Sequence, residues 1–261
     1  MGTSSIYRGP IDNNPLLPKD FDPNKYEEEQ EQQEKEPLAP WKSAKSSMSQ
    51  YINESHGNRG RILRSYTRAL GGASTAASSA RSGIKSAISL GRFLSSVSSE
   101  GIINTLQSLS VNFKGKEVEE LFSTLVNVLV PESSLKEDAI ARKASIEALS
   151  QLYELVEQNN MDINTLDSLN PEFFDTVMAT FISSYIFERL LNDLESRFEQ
   201  YATDSLLAIE KETEVKEYIV QHTDVRLREI NFKNIDYNQS KIENVFEGIY
   251  RECYEVLEDY L

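Results

Sequence analysis

An apolar stripe that recurs every three to four residues for about seven turns limits the folds open to this chain more than any other feature. Asn170-Pro171-Glu172 reads as a helix start. Asn is a good cap, and Pro suits the first helical position, where its missing N–H costs nothing. From there Phe174, Val177, Met178, Phe181, Ile182, Tyr185, Leu190, Leu191, Leu194 and Phe198 fall on one wide face. A strand alternates its side chains and could not gather these residues. The same period recurs elsewhere. Gly115 to Val130 places Val118, Leu121, Phe122, Leu125 and Val126 together, with Pro131 as a stop. Ser134-Leu135-Lys136-Glu137 has the capping-box pattern, and the helix after it buries Ile140, Ala144, Leu149, Leu152, Tyr153 and Val156 up to Asn159-Asn160. A last helix from about Ser240 carries Ile242, Val245, Phe246, Ile249, Tyr250, Cys253, Leu257 and Tyr260 in register. With no alternating segment of useful length, the expected fold is all-α: a helical bundle domain behind a long disordered N-terminal tail.

Charge divides the chain into three. Residues 1–41 sum to -5, residues 42–92 to +8 and residues 93–261 to -18, within a total of -15. The first 58 residues are expected to be a disordered tail. Their Glu/Gln run from Glu27 to Glu36 has almost no apolar surface to offset the entropy of ordering. Trp41, the only tryptophan, sits in a Pro-rich context and reads as an anchor onto a folded surface, the chain's own or a partner's. Residues 59–114 form a basic helical segment. Ile62, Leu63, Tyr66 and Leu70 keep helical spacing, Gly71-Gly72 interrupts, and Ala73 to Leu94 is rich in Ala, Ser and Gly. Residues 115–261 are the C-terminal α-helical domain.

Catalysis finds little support. Cys253 is the only cysteine, which excludes a disulfide framework within the chain and fits a reducing compartment. It lies on an apolar stripe with no basic neighbour to stabilise a thiolate, so it reads as a small hydrophobe. His56 lies in a polar loop and His222 on an amphipathic helix, and neither has a second ligand at metal-binding spacing. Gly-rich phosphate loops and nucleophile elbows are missing. No metal and no bound cofactor is expected. No apolar run approaches the roughly 18 residues that span a bilayer, and no apolar leader follows the start. The expectation is a cytoplasmic chain without membrane contact.

Two surfaces invite partners. Arg59, Arg61, Arg64, Arg68, Arg81, Lys85 and Arg92 make the middle segment basic throughout. They could neutralise phosphates, but Tyr66 and Phe93 are the only aromatics there to stack on bases. Docking onto the acidic remainder, or onto another acidic protein, is the better reading. The second surface is the tail. Gly9, Pro10, Pro15 and Pro18 break regular structure, while Tyr7, Leu16 and Leu17 are apolar hooks on an extended arm.

The tail sequence Met1-Gly2-Thr3-Ser4-Ser5-Ile6-Tyr7-Arg8-Gly9-Pro10, followed by Asn14-Pro15-Leu16-Leu17-Pro18, resembles the opening of the QatB family, the B components of bacterial four-gene Qat anti-phage systems. Phe181 to Leu190 and Val215 to Ile219 are similar to that family's helices. This chain has fewer glycines after Pro10 and a longer Glu/Gln spacer. The resemblance implies a non-catalytic adaptor that works with an ATPase, a QueC-like enzyme and a TatD-like nuclease. QueC-type enzymes activate the carboxylate of a 7-deazaguanine with ATP and condense it with ammonia. A protein amine in place of ammonia would give an amide. The Gly2 α-amine, exposed by loss of Met1, suits that role. Its reference pKa of about 7.7–8.0 leaves a neutral fraction near pH 7, whereas lysine at about 10.4 is far less available. Gly2 is therefore the expected acceptor of a covalent 7-deazaguanine or part of a docking peptide. Thr3, Ser4, Ser5, Tyr7, Gly9, Pro10, Pro15, Leu16, Leu17, Pro18 and Trp41 form the recognition segment. The alternative is a nucleic-acid-binding subunit that recruits the nuclease or ATPase through residues 59–92.

Overall fold

A computed structural model describes residues 40–53, 58–131, 135–201 and 205–259. All regular structure among them is helical, as the periodicity predicts. In chain order the helices are α1 (40–53), α2 (Arg59–Ala69), α3 (Ala73–Ser78), α4 (Arg81–Glu100), α5 (Ile102–Ser108), α6 (Val118–Leu129), α7 (Lys136–Gln158), α8 (Pro171–Tyr201), α9 (Ser205–Leu227) and α10 (Ile242–Asp259).

α8 is the central rod. It packs along both α7 and α9, and its stripe residues Phe174, Val177, Met178, Phe181, Ile182, Tyr185, Leu190 and Leu194 are all buried. Asn170 caps it as expected: its side-chain oxygen accepts the Phe173 N–H at 2.7 Å. α10 lies across α2, α3 and α9 and buries Phe246, Tyr250, Cys253, Tyr254 and Leu257.

The expected tail boundary at 58 is wrong. Residues 40–53 form a helix that buries Ala44, Met48, Tyr51 and Ile52. Those four share one face at helical spacing, behind Pro40, which stands at the helix start that proline favours. The acidic run just before this segment masked the pattern. The boundary at 114 also disappears, because α2–α5 and the helices after them share one hydrophobic core.

Smaller departures have local causes. The helix expected from Gly115 begins at Val118, since Gly115 takes a left-handed φ of +74°. Val245 points outward and is exposed, although it keeps the spacing of its stripe. Ser134, Tyr260 and His56 lie outside the described residues, and the Phe198 side chain is not among those described.

Two small residues of α4, Gly83 and Gly91, admit aromatic rings. A Cβ on Gly83 would lie 2.6 Å from Tyr185 Cζ, and one on Gly91 would lie 1.9 Å from Tyr237 Cε1. Tyr237 is itself fixed by donating to the Phe232 carbonyl at 3.0 Å and by ring contacts to Phe174 and Phe246. Gly91 thus seats the loop after α9 against α4.

Candidate functional site

Six of the seven bases of the basic segment are exposed and Arg64 is half-buried, yet four of them reach groups of the chain's own later half. Arg64 Nε donates to the Glu258 carbonyl at 3.0 Å, where a cation meets the negative end of α10. Arg68 reaches the Glu258 carboxylate at 3.7 Å. Arg92 Nε donates to the Tyr237 carbonyl at 3.0 Å, and the Arg59 guanidinium stands 5.8 Å over the Tyr218 ring. Arg61, Arg81 and Lys85 are exposed. Arg81 and Lys85 line a cleft of about 500 Å³ opposite Glu243 and Glu247 of α10. Of the seven bases, Arg59, Arg64, Arg68 and Arg92 make contacts within the chain, and all but Arg64 are exposed.

A cation of the acidic half reaches back to the basic segment. Arg189 of α8 donates to the Ala76 carbonyl and to Ser79 Oγ, both at 2.8 Å, and so holds α3. Around it lie Tyr66, Tyr185, Tyr250 and Tyr254. Tyr66 donates to Asp193 at 2.9 Å, Tyr185 donates to Glu137 at 2.8 Å, and the Tyr185 and Tyr250 rings meet edge-on at 5.4 Å. Burial pushes all four phenols above their usual range, so they remain neutral; Tyr66 and Tyr185 donate, whereas Tyr254 accepts from Arg189 at 3.5 Å. Glu137, the expected capping-box acid, is spent elsewhere. The same oxygen that accepts from Tyr185 accepts the Ser82 N–H at the start of α4, at 3.1 Å. A clue to this cluster was visible in the sequence: Arg189 is the one cation between Phe174 and Leu194 of α8. Its tyrosine partners lie on α2, α8 and α10, and a single sequence does not bring them together.

The point where the tail leaves the body is well built. Trp41 packs edge-on to Tyr66 with ring centroids 6.1 Å apart, so its anchor surface is the chain's own. Further along α1, Tyr51 donates to Glu214 of α9. The buried Lys211 ammonium sits 3.2 Å from Glu214 and 4.8 Å from the Tyr51 ring centroid. The Tyr51 hydrogen bond, followed by Lys211, holds the Glu214 carboxyl below its usual range against a smaller effect of burial. α1 is thereby clamped between α2 and α9. Gly2, Thr3, Ser4, Ser5, Tyr7, Gly9, Pro10, Pro15, Leu16, Leu17 and Pro18 lie outside the described residues.

Among the described residues, Cys253 and His222 are engaged in packing. Cys253 is fully buried, and burial raises its thiol pKa. His222 stacks on Tyr218 at 3.8 Å between centroids, and its Nδ1 lies 2.7 Å from the Tyr218 carbonyl. Among the described residues no group of His, Cys, Asp and Glu is placed to hold a metal ion, and no helix is long and apolar enough to cross a membrane.

These observations define a strand-free helical protein, among the described residues, whose polar chemistry is spent largely on holding its own helices. A family profile described as "Qat anti-phage system associated protein QatB" matches residues 71–257, which run from the Gly71-Gly72 turn almost to the end of α10. The chain belongs to the QatB family and is a component of the Qat anti-phage defence system. The matched region excludes α1, α2 and the tail. No curated protein and no solved structure matches the chain.

Proposed function

We propose that this chain is a non-catalytic adaptor of the Qat system, whose Gly2 tail is the docking peptide and conjugation substrate of a QueC-like partner enzyme. The observation that carries this reading is the attachment of the tail. α1 is clamped to the body by Trp41, Tyr51 and Lys211, and 39 residues precede it. At about 3.3 Å per extended residue, that length would let Gly2 reach up to about 130 Å from the body. A partner's active site could then take the amine while the body stays bound elsewhere. The α-amine, with a pKa near 7.7–8.0, would attack the activated carboxyl carbon of a 7-deazaguanine. The activating group would leave, the amine would lose a proton, and an amide would form. No metal or cofactor is assigned to the chain itself. The ATPase and the TatD-like nuclease are the further partners that this reading implies.

Gly2→Glu tests the role of the tail. A large charged second residue blocks removal of Met1 and obstructs the amine. The variant should lose phage defence while its circular dichroism stays that of the parent. Normal defence by this variant would overturn the reading.

A further inference from the structure

α9 has a face that the body does not cover. Leu206, Ile209 and Val220 are large apolar residues exposed at 77%, 59% and 42%. At 100° per residue they fall, with Thr213, within about a 60° arc, opposite the buried residues Lys211 and Val215. The face is about 21 Å long at 1.5 Å per residue. One border is acidic, and the other mixes Glu212 with Lys216, whose charge is taken up by Glu147. Glu210 and Glu217, both exposed, follow one edge, and Glu212 with Glu195 of α8 follows the other. The Glu212 carboxyl is raised by burial and then by the charges of Glu188 and Glu195, with Lys143 only partly opposing them. Nearby cations have other engagements. Lys216 is bound to Glu147 at 2.9 Å, Lys143 to Glu188 at 3.1 Å and Lys211 to Glu214.

We infer that this face of α9 is a docking surface for an amphipathic helix of a partner protein, one whose apolar ridge is flanked by lysines or arginines. Such a helix lays its apolar anchors along a stripe of this spacing. Basic flanks would meet Glu210, Glu217, Glu212 and Glu195 and relieve the repulsion among them. A second copy of this chain is the wrong occupant, because pairing two such faces sets acid against acid. The inference is independent of the tail.

The test titrates the full-length chain into two fluorescein-labelled helical peptides of about 20 residues, enough to cover the face. One has a leucine ridge with lysine flanks, and the other has the same ridge with glutamate flanks. The lysine peptide should bind, more weakly as salt rises, and the glutamate peptide should not. Ile209→Gln should weaken binding roughly tenfold, the cost of exposing one buried aliphatic side chain. Glu210→Lys with Glu217→Lys should flatten the salt dependence. Both changes are at exposed positions, and circular dichroism should match the parent. Gly2→Glu should bind the lysine peptide as the parent does. Equal binding of both peptides, no binding of either, or indifference to Ile209→Gln would overturn the inference. So would a dimer seen by light scattering that Ile209→Gln converts to monomer, because the occupant would then be a second copy.

Discussion

Replacing Gly91 by alanine tests the packing on which the fold most depends. The added Cβ would lie 1.9 Å from Tyr237 Cε1, 2.3 Å from Cζ and 2.6 Å from Cδ1. Contact with three ring atoms rather than the end of a flexible chain means that the whole ring must move. An overpacked methyl costs about 1–3 kcal/mol, and this overlap belongs at the upper end. Moving the ring also breaks the bond from the Tyr237 hydroxyl to the Phe232 carbonyl, worth about 1 kcal/mol. Alanine returns about 1 kcal/mol through its better helix propensity. The net loss is about 3 kcal/mol. Urea denaturation followed by circular dichroism reads it. At a slope of about 3 kcal/mol per molar, the midpoint should fall by about 1 M with the slope unchanged. Gly248 in α10 is the control, since nothing lies within 4 Å of a Cβ placed there. Gly248→Ala should raise stability by roughly 0.5–1 kcal/mol. If Gly91→Ala behaved like Gly248→Ala, the ring could not be seated as described.

Four further expectations follow from the same geometry. Phe246→Asp places a carboxylate at a fully buried site and should abolish the cooperative unfolding transition, because an unpaired buried charge costs several kcal/mol. Cys253→Ala should keep phage defence and lose only about 1 kcal/mol to the cavity, and the native thiol should resist iodoacetamide at pH 8; loss of defence by the folded variant would reopen an enzymatic role. Reversal of Arg64 and Arg68 to Glu should lower stability by weakening the grip on the end of α10 and leave DNA gel shifts unchanged, whereas tight salt-dependent DNA binding abolished by the reversals would favour the nucleic-acid reading. Glu214 has a lowered folded pKa, so its contribution is complete above the unfolded value and is lost as pH falls through the folded one; Tyr51→Phe should therefore cost more stability at pH 7 than at pH 3, and an equal cost at both would place the Tyr51 contribution elsewhere.

Period and capping made α6, α7, α8 and α10 legible, whereas α9 entered only through the resemblance at Val215 to Ile219 and the setting of His222. Asn170 and Pro171 mark the start of α8, and among the described stripe residues all are buried or half-buried apart from Val245. α1 was hidden by its neighbourhood. Ala44, Met48, Tyr51 and Ile52 carry a helical period, but the segment is short, follows an acidic spacer and needs α2 and α9 to bury it. Gly83 and Gly91 could be read as small, yet their partners Tyr185 and Tyr237 lie roughly a hundred residues or more away, and nothing local connects them. The same distance hid the Arg189 cluster. Charge asymmetry made docking of the basic segment onto the acidic half the expected contact. It could not say that Arg64 and Arg92 would choose backbone carbonyls over carboxylates, a choice fixed by where α10 and the loop after α9 end.

Intact-mass analysis of the chain, made with and without an active QueC-like partner, tests the central claim most directly. Conjugation predicts loss of Met1 and a single mass increment, located by fragmentation on the peptide that begins at Gly2 and present only with the partner. An N-terminal peptide that stays unmodified beside an active partner would contradict the claim.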